Sequence, residues 1–184
     1  MRLISWNVRG LNAPNKRRLI KSQLELMKCD LVLLQETKLN LQSADRLFSS
    51  WKVWNFCSSP SLGASGGLAI IWKDSAIHFS LVALSSNWML GIVKRRTSNL
   101  KFWLFNVYGP SGIIEKRMLW NSLITLTTPL QNVFLIFGGD FNAIANLNEK
   151  VGGIIPNKRV ILDFSNFIQY LSLVDCMPLN GSFT

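Results

Sequence analysis

The 184 residues are 48% hydrophobic and 16% charged, enough apolar content for a sizeable core and too much for a disordered chain. The 20 Lys and Arg against 10 Asp and Glu leave a formal charge of +10, which favours a polyanionic partner such as nucleic acid over an acidic protein or a neutral metabolite.

From the amino terminus, Arg2 to Val8 alternate Leu3, Ser5 and Asn7 against Ile4, Trp6 and Val8, the period of a strand that carries Asn7 to its end. After loop residues 9–15, a helix fits Lys16 to Lys28, with Leu19, Ile20, Leu24 and Met27 on one face. Leu31 to Leu34 read as a buried strand that delivers Glu36 at its carboxyl end. A short helix over Leu41 to Ser50 and a strand over Lys52 to Cys57 follow. The stretch from Ser58 to Gly67 is small, polar and glycine-rich, and reads as a surface loop. Closely spaced strands are expected at Leu68–Trp72, Ile77–Leu84, Met89–Arg95 and Lys101–Val107, joined as antiparallel hairpins with a turn at Thr97-Ser98-Asn99. The last of these ends at Tyr108 and a Gly-Pro turn. His78, the one histidine, lies beside Ile77 and Phe79 and reads as structural.

A helix is expected from Glu115 to Thr127 through Leu119, Leu123 and Leu126. The apolar run Val133 to Phe137 then has the length and composition of a buried strand, with Gly138 and Gly139 turning the backbone into Asp140 and Asn142. If the backbone stays extended, those two side chains point the same way. A loop through residues 146–157 and a helix bearing Val160, Phe164, Phe167, Ile168 and Leu171 complete the chain. Residues 1–184 read as one domain. Cys29, Cys57 and Cys176 are widely spaced and outside any Cys-x-x-Cys pattern, which reads as core thiols in a reducing compartment rather than disulfides or a zinc site. With neither a secretory leader nor an apolar run of membrane-spanning length, a nuclear or cytoplasmic location is expected.

Asn7, Glu36, Tyr108 and the Asp140/Asn142 pair each follow an apolar strand. Gathered at one sheet edge they would form a polar cleft on an apolar base. Glu36 suits a hard cation such as Mg²⁺, which commonly takes only one or two protein carboxylates and fills its other positions with water and phosphate oxygens. Asp140 suits a group that orients or deprotonates water, and Asn142 and Tyr108 suit donors to phosphate.

Ser5-Trp6-Asn7-Val8, Leu34-Gln35-Glu36-Thr37, Val107-Tyr108-Gly109-Pro110 and Gly138-Gly139-Asp140-Phe141-Asn142 resemble, in this order, the motifs of the endonuclease/exonuclease/phosphatase superfamily. The run Trp6 to Asn12 looks most like the endonuclease domains of plant non-LTR (LINE-type) retrotransposons. The resemblance implies a four-layer α/β sandwich, with two packed mixed sheets flanked by helices. It also implies Mg²⁺- or Mn²⁺-dependent phosphodiester hydrolysis, in those elements a nick in target DNA whose 3′-hydroxyl primes reverse transcription. DNA is the implied partner, with no membrane and no small-molecule cofactor, and a reverse transcriptase domain belongs to the full-length element. Carried over, Glu36 would be a metal ligand, and Asn7 would contact phosphate or help hold the metal's surroundings. Tyr108 would bind phosphate, Asp140 would orient or activate water, and Asn142 would position phosphate beside it.

Two departures qualify the resemblance. Family repair enzymes for abasic DNA carry an acidic residue two positions after the first Asn, where this chain has Arg9, which favours the retroelement branch. The family's later acidic strand and its Ser-Asp-His motif have no counterpart after Asp140, and neither Asp163 nor Asp175 fits their place. The expectation is therefore a domain that lacks its closing carboxyl-terminal strands and is impaired as an enzyme. Two other readings stand beside it: a non-catalytic basic module that binds nucleic acid, and a phosphatase of the same superfamily, which the +10 charge disfavours.

Overall fold

The alternating residues at the amino terminus form β1 (Leu3–Asn7), and the apolar run after the first helix forms β2 (Leu31–Gln35), parallel to β1 with Asn7 opposite Gln35. This computed structural model describes residues 1–63, 65–130, 133–153 and 157–176. Helix α1 (Pro14–Leu26) starts on a proline, whose missing N–H costs nothing in a first turn. Its buried face is Ile20 and Leu24, whereas Leu19 and Met27, expected on that face, are exposed. A 3.6-residue period admits more apolar positions than one sheet face can cover. Helix α2 (Leu41–Ser49) is capped by Asn40, whose side chain accepts the Ser43 N–H at 2.8 Å.

The expected loop from Ser58 to Gly67 is instead a hairpin. Strand β3 (Asn55–Leu62) runs through Pro60 and pairs antiparallel with β4 (Ser65–Trp72), which also pairs with β2. The sheet order β1-β2-β4-β3 leaves β3 at an edge, where a proline's missing donor is tolerated.

The second sheet, ordered β5-β6-β7-β8, is built from β5 (Ile77–Leu84), β6 (Trp88–Arg95), β7 (Lys101–Tyr108) and β8 (Leu135–Asp140). The first three are antiparallel as expected, and β8 lies parallel to β7 with Asp140 opposite Tyr108. Two expectations for β8 need correction. It is half-buried throughout rather than buried, because among the described residues it is the sheet's edge, and its glycines continue the strand instead of ending it. Gly139 has φ +151°, and a Cβ there would stand 2.0 Å from the Val107 carbonyl oxygen, so no other residue fits.

The two mixed sheets pack face to face. Leu33, Leu68 and Ile70 of the first share a core with Phe79, Phe102 and Leu104 of the second, all but Phe79 essentially inaccessible. Each such side chain contributes roughly 1.5–3 kcal/mol by leaving water. The other face of the first sheet is covered by α1 and α2 through Ile20, Leu24, Leu47 and Phe48. Packed mixed sheets with flanking helices make an α/β sandwich.

Among the described residues all eight strands belong to one compact unit, Met1–Tyr108 with Val133–Asp140. The other unit, Gly109–Asn132 with Phe141–Thr184, holds α3 (Ile113–Thr127) and α4 (Lys158–Tyr170). There Trp120 packs with Phe164 and Phe167, ring centroids 5.0 and 5.1 Å apart, and Arg117 donates twice to Asp163 Oδ2. The buried face of α3 includes Trp120, missed in the sequence, while Leu126 is only half-buried. All three cysteines are free; Cys29 is buried, burial pushes the Cys57 thiol up to about 12, and Cys176, expected in the core, is exposed. Among the described residues no helix is long and apolar enough to cross a membrane. The terminal residues 177–184 lie outside the described residues.

Candidate active site at four strand ends

In each sheet one parallel pair sends two carboxyl ends the same way: β1 and β2 in the first, β7 and β8 in the second. Asn7, Tyr108 and Asp140 are the last residues of their strands, and Glu36 is the first residue after β2. Two hydrogen bonds then join the sheets. The Asn7 side-chain amide donates to Asp140 Oδ2 at 2.6 Å, and the Tyr108 hydroxyl donates to Glu36 Oε1 at 2.5 Å. Residues more than a hundred positions apart in the chain thus meet at one edge.

The orientation of Asn7 is fixed from behind. Its Oδ1 accepts the Arg9 N–H at 2.9 Å, which leaves the NH₂ group to face the carboxylates, and Glu36 is a partner of the same amide. Glu36 itself sits at φ 51°, a left-handed conformation rare for a residue with a side chain. Its neighbours hold it there: the Glu36 carbonyl accepts the Gly10 N–H at 2.6 Å, and Thr37 and Lys38 donate to the carbonyls of Gly67 and Gly66, each at 3.0 Å. Gly67 has φ +83°, and a Cβ there would lie 2.4 Å from Thr37 Oγ1. The glycines that made residues 58–67 look like a loop therefore support the turn that presents Glu36.

The Tyr108 hydroxyl holds the Glu36 carboxyl below the usual glutamate range, helped by Asn7 and by Lys38, whose Nζ lies 3.6 Å from Oε2, against the opposing effect of burial. Glu36 is therefore poised as a carboxylate.

Beneath this edge lies a second polar layer that the sequence did not announce. Gln35 Nε2 donates to Asn106 Oδ1 at 2.7 Å and to Ser5 Oγ at 3.1 Å, while Asn106 Nδ2 donates to the carbonyls of Leu34 and Ala69 at 3.2 and 3.0 Å. Asn106 and Gln35 are 0% and 1% exposed, so these bonds lie in a low-dielectric interior where each is strengthened and each would be costly to lose. They tie β7 to β2 and β4 just before Tyr108 and Glu36. One signal was available: Asn106 is the polar exception among Phe102 and Leu104 on the inward face of its strand.

Asn142 is placed differently. The extended backbone does not persist beyond Asp140: the strand ends there and Asn142 has φ 48°, so alternation no longer sets its direction. It belongs to the second unit, where its Nδ2 donates to the Gly109 carbonyl at 2.7 Å and Lys116 donates to the Asn142 carbonyl.

The donor set at the four strand ends is all oxygen and amide, with no histidine or thiolate. That chemistry suits a hard divalent cation on one or two carboxylates, not zinc. Among the described residues no group of three or more His, Cys, Asp and Glu side chains is gathered.

Residues 4–153 match the model of the endonuclease/exonuclease/phosphatase family, a stretch that contains β2 to β8, β1 from its second residue, and Asn7, Glu36, Tyr108, Asp140 and Asn142. The chain belongs to the endonuclease/exonuclease/phosphatase family. Among solved structures it is similar to an AP endonuclease from Leishmania major, with a TM-score of 0.68 at 19% identity over 91% of this chain and 66% of that one. A 3′-5′ exonuclease from Neisseria meningitidis gives a TM-score of 0.65 at 20% identity, covering 92% and 71%. A D. rerio TDP2 complexed with a single-strand DNA product gives 0.59 at 18%, covering 95% and 66%. At these identities the likeness is one of fold. The chain spans about two thirds of the length of these solved structures.

Proposed function

We propose that this chain is the endonuclease-type domain of a divalent-metal-dependent enzyme that hydrolyses phosphodiester bonds in DNA, with residues 1–184 forming one domain. The observation that carries the reading is the pair of cross-sheet bonds, Asn7 to Asp140 and Tyr108 to Glu36, which gathers at one edge four side chains from separate family motifs. Family membership supports metal-dependent hydrolysis of phosphate esters, and the +10 charge and the DNA-processing enzymes among its structural relatives favour a nucleic acid.

In this reading Glu36, with Asn7 beside it, would hold Mg²⁺ or Mn²⁺, and the bound ion would supply neutralisation of charge on the phosphate. Asp140, aligned by the Asn7 amide, orients the attacking water and accepts its proton. The water oxygen bonds to phosphorus as the bond to the 3′ oxygen breaks; the phosphate stays on the 5′ side, and the departing 3′ oxygen takes a proton from solvent to give the 3′-hydroxyl that target-primed reverse transcription requires. Tyr108 donates to a phosphate oxygen. Arg9, in place of an acidic residue, favours nicking of intact DNA in a plant LINE-type element, with a reverse transcriptase elsewhere in the element and a nuclear or cytoplasmic location.

One observation favours a second reading, a module that binds nucleic acid without cutting it. The single histidine, His78, is exposed on β5, bonded to Ser80 and paired in register with Lys94, far along the strands from Glu36 and Asp140. The 184-residue polypeptide therefore brings no histidine to the site, and losing one donor aimed at transition-state charge typically costs about a hundred- to a thousandfold in rate. A plasmid-nicking assay with Mg²⁺ separates the readings. Weak nicking that Glu36→Ala abolishes, with folding unchanged by circular dichroism, supports the enzyme; nicking absent in both proteins while DNA is bound supports the module, and nicking equal in both overturns the role given to Glu36.

A further inference from the structure

The strand ends opposite the candidate site carry a second arrangement. In the β5-β6-β7 register His78 stands opposite Lys94, and Lys94 opposite Lys101, so three nitrogen-bearing side chains form one row across adjacent strands. All three are exposed. They lie on the sheet face away from the shared core, since their strand neighbours Ile77, Phe79, Val93 and Phe102 point into that core. Strands stand about 4.8 Å apart, so the row places like charges side by side, an arrangement that is destabilising by itself.

The row is also uncompensated. Among the described residues no carboxylate lies within 4.0 Å of Lys94 or Lys101, whereas neighbouring Arg96 is committed to Asp74 at 2.7 Å. Beside the row on the same face is half-buried Trp103, opposite Ile92 and two residues on from Lys101. Cations lined up in this way suit the phosphates of a nucleic-acid backbone, with Trp103 as an apolar surface beside them.

We propose that this row, His78, Lys94 and Lys101 with Trp103, is a second contact for nucleic-acid phosphates, separate from the strand held at the candidate site. Lys101 and Tyr108 sit at opposite ends of β7, seven residues apart, which at about 3.4 Å per residue is roughly 24 Å. That distance is about seven base-pair steps of duplex, so the row grips a segment other than the one being cut. The proposal rests on nucleic acid being the partner and not on hydrolysis.

The test is fluorescence anisotropy of a labelled 30-base-pair duplex against the full 184-residue chain in EDTA, over a salt series. For K94Q/K101Q the expected result is affinity at least tenfold weaker and a log-log salt slope smaller by about 1.8, two phosphate contacts at 0.9 each. K94R/K101R keeps both, and these expectations stand even if nicking proves absent from every protein, because the readout is binding in EDTA. Unchanged affinity and slope in folded K94Q/K101Q overturns the proposal. The same unchanged binding with new self-association overturns it in favour of lysines that only keep an exposed sheet face from associating.

Discussion

In each sheet a parallel pair continues into two antiparallel strands: β1 and β2 then β4 and β3, against β8 and β7 then β6 and β5. The halves differ in burial. Every residue of β2 is buried, while every residue of β8 is half-exposed. The buried strand delivers its carboxylate past its end, through a left-handed turn braced by Gly66 and Gly67; the edge strand delivers Asp140 as its own last residue, held by Asn7 from the other sheet. Direction is set by the shared parallel pairing, but position comes from bonds that cross between the sheets. Each crossing bond therefore offers a way to test that division.

The largest effect is expected where the sheets are tied in the interior. Asn106→Leu removes the acceptor for Gln35 and the donor for the Leu34 and Ala69 carbonyls while keeping side-chain volume. Unpaired buried polar groups cost about 1–3 kcal/mol each, and several together predict a loss of about 4 kcal/mol. Urea unfolding measures it, and a loss below about 1 kcal/mol would mean that apolar packing alone aligns the sheets. Next comes Gly139→Ala, which drives a methyl group into the Val107 carbonyl at an unfavourable φ. A loss of about 3 kcal/mol is expected, since overpacking and backbone strain each cost roughly 1–3 kcal/mol. Wild-type stability in that variant would contradict the close approach of β8 to β7.

A smaller effect, dependent on pH, is expected from Tyr108→Phe. Because the folded-state pKa of Glu36 is depressed, its contribution to stability is fully present above the unfolded glutamate value near 4.5 and is lost as pH falls through the folded value. Removing the Tyr108 hydroxyl removes the leading cause of that depression. The variant should be less stable than the parent at pH 7 by about 1 kcal/mol, the usual net worth of one hydrogen bond, and the gap should close below pH 4.5. A gap that stays constant from pH 7 to pH 3 would show that the phenol acts by packing rather than through Glu36.

The strand ends were legible because a polar residue closing an apolar run stands out in one dimension: Asn7, Glu36, Tyr108 and Asp140 were all found that way. What pairs with what was not legible. Nothing local distinguishes β4, which pairs with β2 and β3, from the hairpin strands that follow it, and the cross-sheet partners of Asn7 and Tyr108 depend on the packing of two sheets. Gln35 and Asn106 read as ordinary polar residues, since their importance lies in facing each other across 71 positions. Asn142 was read from an extension that the backbone abandons after Asp140. On α1 the period allowed four apolar positions where the sheet covers two.

The smallest effect concerns the misread hairpin and tests why it was misread. Ser58 to Gly67 has the composition of a loop, yet its register runs Ser59 opposite Leu68 and Ser61 opposite Gly66, with Pro60 exposed between them on the outermost strand of the first sheet. If Pro60 is tolerated only because its missing N–H would face away from the ladder, Pro60→Ala should break no hydrogen bond of the sheet. The remaining consequence lies in the unfolded chain, which gains freedom when the ring is removed, and such exchanges at compatible sites are worth about 0.4–1 kcal/mol. The variant should therefore be slightly less stable, by under 1 kcal/mol, with amide exchange at Leu68 and Ala69 as slow as in the parent. Because Gly66 and Gly67 accept from Lys38 and Thr37, the Glu36 turn depends on this hairpin, and its amides report on the same event. Faster exchange across β4 and at Thr37 and Lys38 in Pro60→Ala would show that the ring itself pins the hairpin, and that the proline is a structural determinant of the site rather than a passenger on an edge.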